Sequence, residues 1–280
     1  MKSYPALNPR RVRQRPLSER ADKMTIAKIR NLADSVPAVS DSETARDIDS
    51  LAARIAEAHR NRRPVIWMTA DHVTIRRGNQ RYLLDLMKRG IVTHIAGNGA
   101  VPIHDVELAL VGSTLEDVEF YLRYGRFGNW EETGRILNFA ARYAYGMRSG
   151  FGQAIGAIVE SEDLGFAFPH KDISIFAGAY RMNVPATVHV LIGADIVHQH
   201  PAMDGAALGA ATYRDFLIFA HALLSLEGGV FLNLGTAVHG PEVFLKAVSM
   251  AVNVLAQDDP NVRKRLEDGR PPFERFTTAV

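Results

Sequence analysis

Short runs of consecutive apolar residues, separated by helical stretches, constrain the fold of this chain most strongly. Such runs occupy residues 65–68, 91–96, 187–192 and 230–234. A strand that is apolar at nearly every position is buried on both faces, which is typical of parallel strands covered by helices. The pattern therefore predicts an α/β protein with a doubly wound, mostly parallel sheet and helices on both faces.

The stretches between the apolar runs have the three-to-four spacing of helices. In residues 41–61, Ile48, Leu51 and Ile55 fall on one face, and Asp41 or Ser42 can cap the start. Further helices are predicted over residues 79–88, 103–111, 115–124, 132–148, 173–181, 213–226 and 241–257. The glycine-rich residues 150–156 fit either a helix or a loop, and residues 276–280 are typical of a last strand.

Composition excludes several classes of protein. The chain has 280 residues, 47% hydrophobic and 23% charged, which is typical of globular proteins. It has no cysteine, which excludes disulfides, zinc–thiolate sites and a cysteine nucleophile. No apolar run reaches the roughly 18 residues of a membrane-spanning helix. A cytoplasmic location is the resulting expectation.

Positive charge is concentrated at the N-terminus. Residues 1–23 carry seven basic residues against Glu19 and Asp22, so the remainder of the chain is net negative within a total of +2. The basic residues are Lys2, Arg10, Arg11, Arg13, Arg15, Arg20 and Lys23. We predict a basic arm over residues 1–40 and a single domain over 41–280. A solvated arm, a nucleic-acid-binding arm and an arm that packs on a neighbouring subunit remain open, although no aromatic interleaving supports nucleic acid.

Polar, glycine-containing loops follow each predicted strand. They cover residues 69–78, 97–107, 193–205 and 235–240. Ligands of doubly wound sheets bind beyond the carboxyl ends of the strands, so these loops predict a binding pocket. Glycine allows backbone N–H groups to approach a phosphate, which suits a nucleotide. Neither a GxGxxG motif nor a phosphate-binding-loop lysine motif is present, so spacing alone does not identify a nucleotide.

Histidines and aspartates in these loops are the candidate functional residues. His198 and His200 flank Gln199, with His189 and Asp204 nearby in sequence. Three interpretations stay open: a metal site, hydrogen bonding in a pocket or interface, and general acid–base catalysis. His72, His94, His104 and His239 come from other strand ends.

The aspartates have competing interpretations. Asp71 and Asp105 can bind ribose hydroxyls or a cation, and Asp105 can equally cap a helix. Asp195 directly follows the third strand and is predicted to contact a ligand.

Three segments carry a resemblance to a known family. Residues 82–112 (YLLDLMKRGIVTHIAGNGAVPIHDVELALVG), 183–209 (NVPATVHVLIGADIVHQHPAMDGAALG) and 228–247 (GGVFLNLGTAVHGPEVFLKA) resemble the deoxyhypusine synthase family, in particular its bacterial deoxyhypusine synthase-like branch. The resemblance implies a Rossmann-like NAD-binding domain in a homotetramer with active sites at subunit interfaces. It also implies NAD-dependent transfer of the aminobutyl group of spermidine, or a related polyamine, to an amine acceptor.

The resemblance, together with the loops, assigns roles to individual residues. The predicted NAD contacts are Ala70, Asp71, His72, Thr74, Asn98, Gly99, Ala100, Asp195, Gly235, Thr236, Thr278 and Ala279. The predicted substrate contacts are Asp105 and Asp204, and the predicted catalytic residues are His104, His198, His200 and His239. No residue is assigned to a metal.

Two departures from the family keep alternative functions open. Ile103 and His104 stand where the family has paired acidic residues. The family's catalytic lysine lies well beyond the Thr-Ala pair, and this sequence ends one residue after Ala279. A non-catalytic binding or regulatory protein is therefore one alternative, and a metal-dependent hydrolase built on the histidine-rich loops is another.

Overall fold

The computed structural model describes residues 4–34, 39, 41–162 and 165–280. The strands within these residues are β1 Asp22–Thr25, β2 Val65–Thr69, β3 His94–Asn98, β4 Ser113–Glu116, β5 Ala186–His189, β6 Val230–Leu234 and β7 Thr277–Ala279. The helices are α1 Ser42–Arg60, α2 Asp71–Thr74, α3 Gln80–Lys88, α4 Ala100–Val111, α5 Val118–Arg123, α6 Glu131–Met147, α7 Phe151–Ser161, α8 Ile175–Arg181, α9 Gly205–Ala222, α10 His239–Asp258 and α11 Pro260–Glu267.

Five strands form one parallel sheet. Their spatial order is β5-β3-β2-β6-β7, and every neighbouring pair is parallel. The chain moves outward from β2 to β3 and β5, then returns to the other side of β2 for β6 and β7. This confirms the predicted doubly wound, Rossmann-like α/β fold, and it places the reversal of strand order between β2 and β6.

Alternate residues of the strands pack into separate cores on the two faces. On β2, Ile66 and Met68 join one apolar cluster with Phe219 of α9 and Ala247 of α10. Val65 points to the other face and belongs to a larger cluster with residues of α3, α4, α6 and α7. Burial on both faces explains why these strands are apolar at consecutive positions.

Helix α9 protects the outer edge of β5. The Val188 backbone N–H donates to Asp215 Oδ2 at 2.8 Å, and the Thr212 hydroxyl donates to the Val188 carbonyl at 2.7 Å. The N–H of Gly152, at the start of α7, also donates to Asp215, at 2.9 Å. Asp215 therefore blocks edge-to-edge strand pairing and caps a helix.

The N-terminal segment packs on the domain. Strand β1 pairs antiparallel with β4, with Asp22 opposite Glu116. Leu17 is buried, and Arg20 forms buried ion pairs with Asp22 and Glu107. Arg20 is therefore not in solvent, whereas Lys2 and residues 35–38 and 40 of the predicted arm lie outside the described residues.

Most predicted elements are present, with shifted ends. The predicted helix over 115–124 is wrong at its start, because residues 113–116 form β4 and Asp117 caps α5. Helix α9 starts at Gly205 rather than at Tyr213, because Asp204 caps it. Residues 150–156 belong to helix α7 and its cap, and β1 and α11 were not predicted. None of the helices in the described ranges is long and apolar enough to cross a membrane.

Candidate functional site

The loops after β2 and β6 meet at the carboxyl edge of the sheet. The Ala70 backbone N–H donates to the Leu234 carbonyl at 2.9 Å, which joins the two strand ends. Gly235 has a φ of +76°, and a Cβ there would lie 2.8 Å from His72 Nε2. Glycine is therefore required for both the turn and the close approach. The contact lies where the strand order reverses, the usual site of a dinucleotide crevice.

The loop after β6 is rigid but accessible. Asn233 Nδ2 donates to the Thr236 carbonyl at 3.0 Å, and the Thr236 hydroxyl also bonds to Asn233. Gly235, Ala237 and Val238 are exposed. None of the described side chains caps the start of α10, which follows this loop. The N-terminus of a long helix favours negatively charged groups such as phosphates.

Asp195 brings the loop after β5 onto the loop after β3. Its carboxylate lies against Gly99, where a Cβ would overlap it. Burial, and in addition the negative charge of Asp71, raise the pKa of Asp195 to about 6. Asp195 Oδ2 is buried and has no hydrogen-bond partner among the described residues. The carboxylates of Asp71 and Asp195 are therefore close enough for their charges to interact, beyond the carboxyl ends of β2 and β3.

His198 lies beside Asp195, and its hydrogen bonds define which ring nitrogen carries the proton. Its Nδ1 accepts from the backbone N–H groups of Gly193 and Asp195, at 3.1 and 3.3 Å. Burial lowers the pKa of His198, so the neutral ring carries its proton on Nε2. Nε2 lies 3.9 Å from Asp195 Oδ2, too far for a hydrogen bond. A cavity of about 10 Å³ lies here, roughly the size of one water molecule.

His104 and Asp71 form a second pair of candidate functional side chains. His104 Nε2 lies 3.4 Å from Asp71 Oδ2, and Arg76 Nη1 lies 3.3 Å from the same oxygen. Burial lowers the pKa of His104 and outweighs the opposite effects of Glu107 and Asp71. The side chains of His104 and Asp71 remain 15% and 12% exposed, so a ligand can reach both.

A buried histidine cluster lies below the same edge. The Thr187 hydroxyl lies 3.0 Å from His94 Nε2 and 3.2 Å from His189 Nε2. Burial lowers the pKa of His94 to about 4. Burial also lowers the pKa of His189 to about 3, assisted by the charges of His94 and His239. These rings are therefore neutral at neutral pH.

Four of the unsatisfied buried polar atoms among the described residues lie at the carboxyl edge, and the others lie elsewhere in the molecule. Buried polar atoms are normally hydrogen-bonded, so an unpartnered group calls for an explanation. In the part of the chain that the structure describes, partners are lacking for Asn98 Oδ1, Asp195 Oδ2, His198 Nε2 and His239 Nε2. All four residues follow or end strands β3, β5 and β6. A ligand bound at this edge would satisfy them.

Several predicted site residues have structural environments instead. Thr74 is fully buried and bonds Thr69 at 2.8 Å. Asp105 accepts from the Ser174 hydroxyl at 2.5 Å and from the Ile175 N–H at 2.9 Å, so it caps α8. Asp204 caps α9.

Three further predicted residues lie at the margins of the site. His200 packs against Gly134 of α6, with its Nε2 3.5 Å from Glu131. Thr278 and Ala279 lie on β7, beside β6.

Sequence reasoning missed a buried network behind His104. It consists of Arg20, Glu107 and Thr114, which bond one another and the His104 ring. Glu107 had a signal in the sequence, because α4 is otherwise apolar on nearly all sides and a buried carboxylate must be paired. Arg20 is distant in sequence and had no such signal.

The metal-dependent alternative gains no support. Among the described residues, no group of three histidine, aspartate or glutamate side chains is placed to hold a metal ion. A larger cavity, of about 880 Å³, lies at the opposite, amino-terminal edge of the sheet and includes Arg63, Glu227 and Arg275 in its lining.

The fold and the edge geometry define a doubly wound α/β protein in which the loops after β2 and β6 meet at the reversal of strand order. No protein-family model matches the sequence, and no curated protein matches it.

The chain is similar in structure to parts of several solved proteins. It aligns with a single-site mutant of AgrE bound to L-arginine over 88% of this chain and 32% of AgrE, at 15% identity and a TM-score of 0.49. It aligns with ArgZ, an arginine dihydrolase of Cyanobacteria, over 74% of this chain and 26% of ArgZ, at 18% identity and a TM-score of 0.46. A putative LOR/SDH protein of Methanococcus maripaludis S2 aligns over 75% of this chain and 56% of its own length, at 16% identity and a TM-score of 0.43.

These comparisons correct the family prediction. The similar structures are AgrE, ArgZ and a putative LOR/SDH protein rather than a deoxyhypusine synthase, so that assignment is wrong. Aminobutyl transfer from spermidine or another polyamine is withdrawn with it. The chain spans about a third of the length of AgrE, and likeness at this level concerns the fold alone.

Proposed function

We propose that this chain is an NAD-dependent enzyme that oxidises a small molecule at a carbon bearing a hydroxyl or amine group. The observation that carries the proposal is the position of the His104–Asp71 pair, which lies beside the crevice at the reversal of strand order. Such a position brings a base next to a bound dinucleotide.

The residues at the crevice fit a dinucleotide. Ala70, His72 and Gly235 form the meeting point of the loops after β2 and β6, and the start of α10 offers a site for phosphate. The orphaned Asn98 Oδ1 is suited to accept a ribose hydroxyl, a contact made by a carboxylate in many such sheets. A structure of AgrE holds NAD⁺ together with ornithine, and NAD is the cofactor proposed here.

His104 is the proposed base. When bound, NAD supplies the acceptor for the hydride that leaves the substrate carbon. His104 Nε2 takes the hydroxyl or amine proton, and a neutral imidazole at neutral pH is suited to that role. Asp71 faces the same point and, with an amine substrate, accepts a hydrogen bond from the remaining N–H. Asp195 Oδ2 and His198 Nε2 face a cavity with room for one water molecule, which would bond both atoms behind the site.

Binding and turnover test this function separately. Calorimetry is expected to show binding of NAD⁺ by the wild type and by His104→Gln. Turnover of an alcohol or amine, followed as NADH formation, is expected to fall about 100-fold or more in His104→Gln. His221→Gln is the matched control, because His221 is exposed in the last turn of α9. Absence of NAD⁺ binding contradicts the proposal. Binding without turnover of a broad substrate set favours the non-catalytic alternative.

Two earlier expectations stay predictions. They are the homotetramer with interface active sites and the cytoplasmic location, which neither the fold nor the comparisons address.

A further inference from the structure

Glu107 is a buried carboxylate held by the N-terminal segment. Its two oxygens accept from Arg20 Nη1 and Nη2 at 2.9 and 2.7 Å, and both side chains are 1% exposed. The Thr133 hydroxyl donates to Oε1 at 2.8 Å. Arg20 is itself fixed by Asp22 at 2.6 Å. These hydrogen bonds hold the Glu107 carboxylate in a single orientation.

Arg20 keeps Glu107 ionised. Burial alone would raise the pKa of Glu107, but the charge and hydrogen bonds of Arg20 outweigh burial and lower it. An ionised carboxylate has no proton to give, so it can only accept hydrogen bonds. Any group that bonds Glu107 must therefore donate to it.

The proton positions along the network follow from this constraint. Thr114 Oγ1 lies 2.5 Å from Glu107 Oε2, so the Thr114 hydroxyl donates its single proton to Glu107. Thr114 Oγ1 also lies 2.7 Å from His104 Nδ1. Since the hydroxyl proton is already used, His104 Nδ1–H must donate to Thr114.

We propose that Glu107, held by Arg20 and acting through Thr114, fixes His104 as the Nδ1–H tautomer and so makes Nε2 the proton acceptor of the site. Arg20, Glu107 and Thr114 are positioning residues in this assignment. The assignment of Nε2 as the reacting atom rests on the proposed function, whereas the assignment of the tautomer rests on the hydrogen bonds alone.

The tautomer also defines what the site binds. The unprotonated His104 Nε2 faces Asp71 Oδ2 at 3.4 Å, and Asp71 is paired with Arg76. Two acceptors that face each other need a donor between or beside them. An O–H or N–H group of a substrate supplies it, and the proton that it donates to His104 then passes to Nε2. The charged groups around His104 are Asp71, Arg76, Glu107 and Arg20.

Nitrogen NMR of the imidazole rings tests the tautomer directly. Long-range ¹H–¹⁵N spectra of the whole protein, with His104→Gln used for assignment, are expected to show a protonated Nδ1 and an unprotonated Nε2 on His104. Thr114→Val removes the hydroxyl without changing the side-chain shape, and most of the His104 population is expected to change to Nε2–H. Thr114→Ser restores the hydroxyl and is expected to restore Nδ1–H.

The wild-type spectrum tests the tautomer of His104 even if Thr114→Val does not fold. An Nε2–H or doubly protonated His104 at neutral pH overturns the proposal, and so does an unchanged tautomer in folded Thr114→Val. His221 serves as the internal control, because its signals are expected to stay the same in all variants.

Activity provides the second readout. With a substrate in hand, Thr114→Val is expected to lower kcat by about 100-fold with little change in KM, and Thr114→Ser to recover most of it. Failure of the proposed function removes this second readout but leaves the tautomer result, so the two failures are distinguishable. Unchanged kcat in folded Thr114→Val overturns the positioning role.

Discussion

Asp105 is a buried aspartate and Asp195 a half-buried one, and their carboxylates have different hydrogen-bonding environments. Burial raises the pKa of Asp105 to about 6, although the bonds from Ser174, Ile175 and Phe176 lower it. Burial, with the charge of Asp71 as a second cause, raises the pKa of Asp195 to the same range. Asp105 is saturated by its donors at the start of α8, whereas Asp195 Oδ2 finds none in the described ranges.

The comparison separates the signature of a structural carboxylate from that of a ligand site. A raised pKa reports burial and is shared by both residues, so it does not distinguish them. The unsatisfied Oδ2 of Asp195 lies at the carboxyl edge, beside a cavity with room for one water molecule. Asp215 combines both features, because Gly152 and Val188 donate to its Oδ2 while its Oδ1 has no partner among the described residues, and burial raises its pKa to about 8.

The largest effect is expected for Asp105→Asn. The amide would place an N–H group against a donor at the start of α8, and a buried bond would be lost. We expect the free energy of unfolding to fall by about 3 kcal/mol, measured by urea denaturation at about pH 4, below the raised pKa of Asp105. Asp195→Asn is the matched control, and a smaller loss in Asp105→Asn than in Asp195→Asn would contradict the comparison.

Gly99→Ala tests the placement of the Asp195 carboxylate. The new methyl group would overlap that carboxylate, so we expect a loss of roughly 1–3 kcal/mol in the free energy of unfolding. The double variant Gly99→Ala/Asp195→Ala should recover most of it in a double-mutant cycle. Gly209→Ala in α9 meets open space and should not destabilise. Simple additivity of the Gly99 and Asp195 changes would place the carboxylate elsewhere.

Asp195→Asn should stabilise the protein at neutral pH but not at acidic pH. The folded-state pKa of about 6 exceeds the ordinary 3.8, so the contribution of Asp195 to stability is present in full below about pH 4 and is lost as pH rises through 6. Replacement by asparagine removes that loss, which is roughly 3 kcal/mol at pH 7.5. Urea midpoints across pH 4–8 measure it. A stability difference that does not change with pH would show that Asp195 has a partner.

Asp204→Ala should have the smallest effect. Asp204 Oδ1 accepts from Ala206 and Ala207 at 3.0 Å in an exposed cap, so its loss should cost about 1 kcal/mol of unfolding free energy. Asp204→Asn retains a capping side chain and is the control. Loss of NAD⁺ affinity in Asp204→Ala at unchanged stability would return this residue to the site.

The sequence was sufficient for the parallel sheet, because burial on both faces gives a pattern that few other structures share. Strand β6 was predicted at residues 230–234, where the structure has it. The pairing of β1 with β4 and the Arg20–Glu107 contact depend on residues far apart in sequence, so local patterns did not predict them. Asp105 stayed ambiguous, because an aspartate near a helix suits a cap and a ligand equally.

The error in the family assignment also has a physical origin. Glycine-containing polar loops at strand ends are required by any crevice that binds a nucleotide on a parallel sheet. Loops such as Gly97–Asn98–Gly99 and Gly235–Thr236 therefore resemble those of proteins with other chemistry. They indicate the location of a site better than they indicate its reaction.

An NAD⁺ titration followed by backbone amide NMR tests the central claim most directly, because it reports both binding and its location. The account predicts saturable shifts concentrated at residues 70–72, 98–100 and 235–240, at the carboxyl ends of β2, β3 and β6. No shift at high NAD⁺ would contradict it. Shifts confined to the cavity at the amino-terminal edge, around Arg63, Glu227 and Arg275, would contradict it equally.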